Sequence, residues 1–288
     1  MLVPVTINGV EKFMIFDTGA PVSSVTRALT QELKLSVRQD SRDNTLYDVN
    51  GNVSRDVTTI ARFKIGQQEM PEAQFRIWPD PDLEKVDPRF AGVLSRDQFH
   101  QYDLDIDFSR RVLKLFSSEH CKGEIPAWNG AARTVGTIEK RGGRINTLAT
   151  LDGQKLNAII DSGAVSSFLS ADVAKTYFGL TAGSPGMEKF TMLANNPRLP
   201  VYQHQFFKLD FNGMTINNPL VAILPNSVDR NASEIANSLD RTRPRNGGVS
   251  ISQLIIGMDI LKRFHIYIAP REQRMYLSEV PENSPPSK

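Results

Sequence analysis

The chain has 288 residues, 40% of them apolar and 23% charged, with a formal net charge of +2. That is enough apolar material for one large core or two smaller ones. The near-balanced charge gives no reason to expect nucleic acid or an anionic membrane as partner. No apolar run approaches the ~20 residues needed to span a bilayer. Cys121 stands alone, so no intrachain disulfide forms, and its polar surroundings read as a surface thiol. His100, His120, His204 and His265 show no ligand spacing, so neither a metal nor another cofactor is expected.

In chain order, residues 2–8 and 12–16 are short β-rich runs joined through Asn8-Gly9, a strong hairpin signal. The apolar run Phe13 to Phe16 then meets Asp17-Thr18-Gly19-Ala20. An acidic residue straight after such a run sits at the end of a buried strand, and the small residues behind it turn the chain tightly. Val22 to Val25 extend again, and Thr26 reads as the N-cap of a short helix carrying Ala28, Leu29, Leu33 and Leu35. Residues 44–65 read as a hairpin that turns at Asn50-Gly51 and returns through Val53 to Ile65. Residues 78–91, with Pro79, Pro81 and Pro88 among charges, read as an irregular loop. A short apolar strand, Ala91 to Leu94, enters a helical stretch at Asp97. A hairpin over Ser109-Arg110-Arg111 closes this half.

The second half repeats the order. Ile160-Asp161-Ser162-Gly163-Ala164 copies the first loop and also follows an apolar run. Gly9 lies eight residues before Asp17, and Gly153 eight before Asp161; Thr26 and Ser170 each lie nine after. Leu254 to Asp259 matches the segment ending at Asp97, and the same offset of 162 pairs Phe99 with Leu261, Tyr102 with Phe264, Ile106 with Ile268 and Leu115 with Leu277. A single register held this long marks an internal duplication of about 110–120 residues, a two-fold pair rather than a solenoid. The expected organisation is a first lobe over 1–116, a linker over 117–134, a second lobe over 135–279 and a disordered tail over 280–288. Residues 226–250, polar and carrying Arg241, Arg243 and Arg245, read as a solvated loop.

Two carboxylates on matching loops suggest a pair built to meet. At about 3 Å, two such groups cannot both ionise easily, so one proton is shared. The ionised partner can then act as base on a water, while the protonated one polarises a carbonyl, as peptide hydrolysis requires. Asp17 and Asp161 are the expected catalytic pair. Thr18 and Ser162 offer hydroxyls that could bond across a two-fold axis. Gly19 and Gly163 allow close approach of backbone to carboxylate.

D-T-G-A and D-S-G-A, together with V-L-S-R-D and I-I-G-M-D, resemble the retropepsin-like aspartic proteases, here as two tandem lobes in one chain from Leu2 to Leu277. The resemblance implies an all-β, bilobal pepsin/retropepsin-like fold with pseudo-two-fold symmetry and short helices. It implies an aspartic endopeptidase acting on protein or peptide substrate, with no dimer required for the site. Its ψ-shaped strands fall on Gly92 to Asp97 and Leu254 to Asp259, with Leu94, Ser95, Ile256 and Gly257 beside the loops. Its substrate-covering flaps fall near Leu46 to Val53 and Phe190 to Asn196, with Leu46, Tyr47, Val49, Phe190 and Met192 shaping side-chain pockets.

Three departures stand out. Ser95 replaces a usual Gly, the second flap lacks an Asn-Gly turn, and Ala20 and Ala164 replace the hydroxyl residue of pepsin-like loops. The last implies a less acidic dyad and a mildly acidic to near-neutral optimum. Bacterial relatives of this type imply a periplasmic or other extracytoplasmic location, with a signal peptide removed ahead of Met1. The alternatives are a catalytically silent peptide-binding module on the same fold and, remotely, an actin-like ATPase. The first is disfavoured by two intact aspartates, the second by short helices and abundant strands.

Overall fold

The computed structural model describes residues 1–40, 46–47, 53–79, 87–99, 101–119, 125, 133–136, 138–139, 144–193, 196–211, 213–225 and 253–279. Val49 and the Asn50-Gly51 turn, His100, His120, Cys121, most of 117–134, the 226–250 loop and the 280–288 tail lie outside these residues.

The first half runs β1 (Leu2–Ile7), β2 (Val10–Phe16), β3 (Ser24–Val25), α1 (Arg27–Glu32), β4 (Val37–Gln39), β5 (Leu46–Tyr47), β6 (Val53–Ser54), β7 (Asp56–Ile65), β8 (Gln68–Ile77) and β9 (Phe90–Leu94). A 3-10 turn over Arg96–Phe99 leads to β10 (Tyr102–Asp107) and β11 (Val112–Ser117). The second half begins with β12 (Arg133–Gly136), β13 (Ile138–Glu139), β14 (Ile145–Leu151), β15 (Gln154–Ile160), β16 (Phe168–Ser170) and α2 (Ala171–Phe178). It continues with β17 (Met187–Leu193), β18 (Asn196–Gln205), β19 (Lys208–Phe211), β20 (Met214–Asn217), β21 (Leu220–Leu224) and β22 (Leu254–Ile256). α3 (Met258–Leu261), β23 (Phe264–Ala269) and β24 (Arg274–Glu279) end it. The architecture is all-β with short helices. Among the described residues the longest helix, α2, has eight residues, and none has the length of the alternating helices of an actin-like ATPase. No described helix is long and apolar enough to cross a membrane.

Both halves open on the same hairpin for the same reason. Asn8 and Gly9 have φ of 50° and 91°, Asp152 and Gly153 of 43° and 83°. Two left-handed residues in a row make the turn whose twist matches the flanking strands. α1 and α2 start as the sequence suggests: Thr26 accepts a hydrogen bond from the Leu29 amide at 3.2 Å and Ser170 from the Val173 amide at 3.1 Å. Capping of this kind contributes about 1 kcal/mol each.

The reading of residues 44–65 as one hairpin needs correction. β5 pairs with β6, but the chain then continues as β7, which pairs with β8, and β8 was not foreseen. Ala73, Phe75 and Ile77 on β8 are buried while the residues between them are charged or polar, so the two-residue alternation is there to be read. Phe90 and Ala91, at the end of the expected 78–91 loop, already belong to β9, and β12 begins at Arg133 inside the stretch read as linker.

The sheets place the site. In the first half the order is β1-β2-β9-β3-β8-β7-β4, with β9 parallel to β2 and antiparallel to β3. In the second, β22 lies parallel to β15 and antiparallel to β16. Each half thus threads a late strand between the strand before its aspartate loop and the strand after it. Parallel strands buried on both faces carry continuous apolar side chains. Phe16, Leu94, Ile160 and Ile256 are at most 1% exposed. The closing hairpins of the two halves join in one sheet, ordered β11-β10-β23-β24-β12. There Asp105 pairs with Tyr267, its own counterpart 162 residues further on. A residue paired with its own equivalent marks where the pseudo-two-fold axis crosses this sheet.

Candidate active site

Each aspartate is placed by its threaded strand. The Asp17 amide donates to the Leu94 carbonyl and the Asp161 amide to the Ile256 carbonyl, both at 2.9 Å. Beyond that point the loops turn back on their own carboxylates. Asp17 Oδ1 accepts from the amides of Gly19 and Ala20, both at 2.8 Å, and Asp161 Oδ1 from Gly163 at 2.8 Å and Ala164 at 3.1 Å.

The loops interlock across the axis. The Thr18 amide donates to Ser162 Oγ at 3.1 Å, and the Ser162 amide donates to Thr18 Oγ1 at 3.0 Å. The Thr18 hydroxyl donates to the Ile160 carbonyl at 2.7 Å and the Ser162 hydroxyl to the Phe16 carbonyl at 2.8 Å. Both side chains are buried, so every polar group in this crossing is satisfied by the opposite half.

The carboxylates meet where the glycines leave room. A Cβ on Gly19 would fall on the Asp161 carboxylate, 2.6 Å from Oδ1 and nearer still to Cγ and Oδ2. A Cβ on Gly163 would meet Asp17 in the same way, 2.8 Å from Oδ1. Each carboxylate therefore packs on the backbone of the opposite loop. Asp17 hydrogen-bonds Asp161, whose carboxyl is pushed up to about 7. Burial is the largest cause, then the negative charge of Asp17 and the hydrogen bond between them; the Gly163 and Ala164 amides oppose the shift.

A second ring supports the loops from behind. Ser23 and Ser167, which hold equivalent places after the two aspartates, bind Asp97 and Asp259. The Ser23 amide donates to both oxygens of Asp97 at 3.0 Å; the Ser167 hydroxyl donates to Asp259 Oδ1 at 2.7 Å. Ser23 Oγ also accepts the Ser95 amide at 2.8 Å, and Ser167 Oγ accepts the Gly257 amide at 3.0 Å. Here the halves differ in one atom group. Ser95 keeps its Cβ and its hydroxyl donates to the Ala20 carbonyl at 2.6 Å, whereas a Cβ on Gly257 would crowd the Ser166 carbonyl carbon at 2.6 Å.

Two family models match this chain, one for each loop. Residues 3–86 match the model described as "gag-polyprotein putative aspartyl protease", and residues 147–260 match the model described as "Aspartyl protease". The chain belongs to the retropepsin-like aspartic proteases. Among solved structures, a retropepsin-like aspartic protease from Rickettsia conorii matches at 14% identity and a TM-score of 0.36, over 53% of this chain and 96% of that one. No curated protein matches.

The flap residues named from this retropepsin-like pattern are spread out. Leu46 is buried on β5, and Phe190, on β17, is 47% exposed. Tyr47 and Met192 lie on strands β5 and β17, but their side chains are outside the described residues. Sequence reasoning missed Ser23 and Ser167, although the constant spacing from Asp17 to Asp161 also carries one serine onto the other. It missed Arg144 as well. The Arg144 Nε donates to the Gly19 carbonyl at 2.9 Å across a sequence separation of 125 residues, and no local pattern signals such a contact. Among the described residues there is no cluster of side chains suited to a metal.

Proposed function

We propose that the chain is an aspartic endopeptidase in which Asp17 and Asp161 share one proton and activate a water between them. The observation that carries this reading is the meeting of two carboxylates, each seated on the opposite glycine, with one of them pushed up to about 7. Like charges this close favour a monoanion over a wide pH range. The ionised member takes a proton from water as the water oxygen attacks the scissile carbonyl carbon. The protonated member gives its proton to the carbonyl oxygen. The resulting diol collapses when the newly protonated carboxyl gives its proton to the amide nitrogen, the other carboxylate takes a proton from one diol hydroxyl, and the C–N bond breaks, restoring the monoanion. Both aspartates are half-buried, so one side remains open to water and to an extended peptide.

The raised carboxyl favours a mildly acidic to near-neutral optimum, because the acid form must survive at the working pH. Each half supplies one aspartate, so a second copy of the chain is not required. The lobes are assigned to 1–116 and 135–279. The flaps are assigned to the β5–β6 and β17–β18 hairpins.

The test is Asp17→Asn and Asp161→Asn, each assayed against a peptide library from pH 3 to 8. Either change is expected to reduce cleavage by at least about 10³-fold with the circular dichroism spectrum unchanged. Near wild-type cleavage by either variant overturns the mechanism. Maximal rate near pH 2 in the unmodified protein overturns the assignment of the raised carboxyl.

A further inference from the structure

Arg144 enters the site from the side that the aspartate motifs do not describe. It stands immediately before β14, in the second half, and its bond to the Gly19 carbonyl reaches into the first. Gly19 is the residue on which both carboxylates converge. Its amide donates to Asp17, and its α-carbon faces Asp161. A guanidinium fixed to this carbonyl is therefore bound to a residue that both acids contact. Among the described residues no carboxylate comes within ion-pair distance of it. The charge of Arg144 is opposed by burial and supported first by Asp161 and then by Asp17.

Other charged groups described near the pair act differently. Asp97 and Asp259 lie behind the loops with their oxygens bound by Ser23 and Ser167. The Met1 amino group, at the head of β1, is within electrostatic reach of Asp17 and is opposed by Arg111. Among the described residues only Arg144 both touches an aspartate loop and is coupled electrostatically to the two carboxylates.

We infer that Arg144 is a positioning residue for the dyad, tying the Gly19 carbonyl to the opposite lobe and holding a permanent positive charge beside both carboxylates. This rests on the protease reading for its purpose, but not for its physics. A guanidinium does not lose its proton in the working range. Its field favours every ionised state of the pair, so it eases loss of the first proton and of the second. Removing it should therefore move both ionisations, and both limbs of a pH–rate profile, in the same direction: upward.

The experiment is a ¹³C NMR titration of the Asp17 and Asp161 carboxyl carbons in the wild type, Arg144→Gln and Arg144→Lys, alongside kcat/KM against pH. For Arg144→Gln both titration steps are expected to rise by about one pH unit, and both kinetic limbs with them. Arg144→Lys keeps the charge but not the Nε bond, so its titration should stay close to wild type. Arg144→Met, of similar length, takes the place of the glutamine variant should that one not fold. The inference is overturned if the neutral variant titrates as the wild type does, or if lysine shifts the steps as far as glutamine. The titration needs no substrate, so the two readings separate. A wild type that cleaves no peptide but shows the shift loses the protease reading alone. A wild type that cleaves, with no shift in the variant, loses the role of Arg144 alone.

Discussion

The two aspartate loops are nearly superposable in their bonding, whereas the structure around them is not. Each loop has the same amide bond to a threaded strand, the same two amides on its carboxylate and the same hydroxyl reaching across the axis. Away from that centre the halves diverge. Ser95 stands opposite Gly257, and among the described residues Arg144 binds the carbonyl of one aspartate loop only. The contrast separates what the pair of carboxylates demands from what an extended peptide demands. A dyad needs two equal walls, because each acid is packed on the other's loop. A peptide has a direction, so nothing requires the two ends of its groove to match.

The sharpest way to break the symmetric part is to fill either glycine. Gly19→Ala and Gly163→Ala each place a methyl group on the opposing carboxylate, which is held by two amides and cannot retreat without losing them. Overpacking of this kind costs about 1–3 kcal/mol or more in stability. Displacing a reacting group by about 1 Å can cost 10²-fold in rate. Because the walls are equivalent, the two variants should lose activity to within about tenfold of one another. Thermal melts and kcat/KM for the pair check this. One silent variant beside one dead one would show that the carboxylates do not share the site equally.

The fold and the centre of the site were legible in the sequence for the same reason that the glycines matter. Asp-Thr-Gly-Ala and Asp-Ser-Gly-Ala encode their geometry locally: a strand end, a turn and a residue without a side chain. Repetition in constant register then supplied the partner. The offset of 162 is reproduced by the elements themselves, with β10 and β11 matched residue for residue by β23 and β24. What stayed hidden was non-local. Arg144 meets Gly19 from 125 residues away, and the Ser23–Asp97 and Ser167–Asp259 pairs close over 74 and 92 residues. β8 was missed for a different reason. Its buried Ala73, Phe75 and Ile77 alternate with polar residues only near its end, and charged residues dilute the earlier part of the strand.

A second comparison is between the acids themselves, and pH reads it. Asp161 is raised from 3.8 to about 7, so between those values the folded chain holds a proton that the unfolded chain has released. Stability from this group is therefore complete below about pH 4 and is lost as pH rises through 7. The window of about three pH units corresponds to a loss on the order of 4 kcal/mol. Asp161→Asn retains an oxygen for the Gly163 and Ala164 amides and places an amide donor where the shared proton lay. That variant should melt several degrees above the wild type at pH 8 and close to it at pH 4. Equal melting temperatures at both pH values would show that the raised carboxyl is not coupled to folding.

The smallest effect bears on the departure at Ser95. If this serine is merely a tolerated substitute for glycine, removing its hydroxyl should be neutral. Its bonding argues otherwise. The side chain is fully buried and its hydroxyl donates to the Ala20 carbonyl, the end of the first aspartate loop. Ser95→Ala keeps the Cβ, for which the first half has space, and removes only the donor. Leaving the Ala20 carbonyl without it costs about 1–2 kcal/mol, read as a lower midpoint in urea with an unchanged slope. No such donor can be added on the other side, because Gly257 has the Ser166 carbonyl where a side chain would begin. A measurable loss in Ser95→Ala would show that the first loop uses a bond the second does without, placing the asymmetry within reach of Asp17. No loss would confine the asymmetry to the flaps and Arg144.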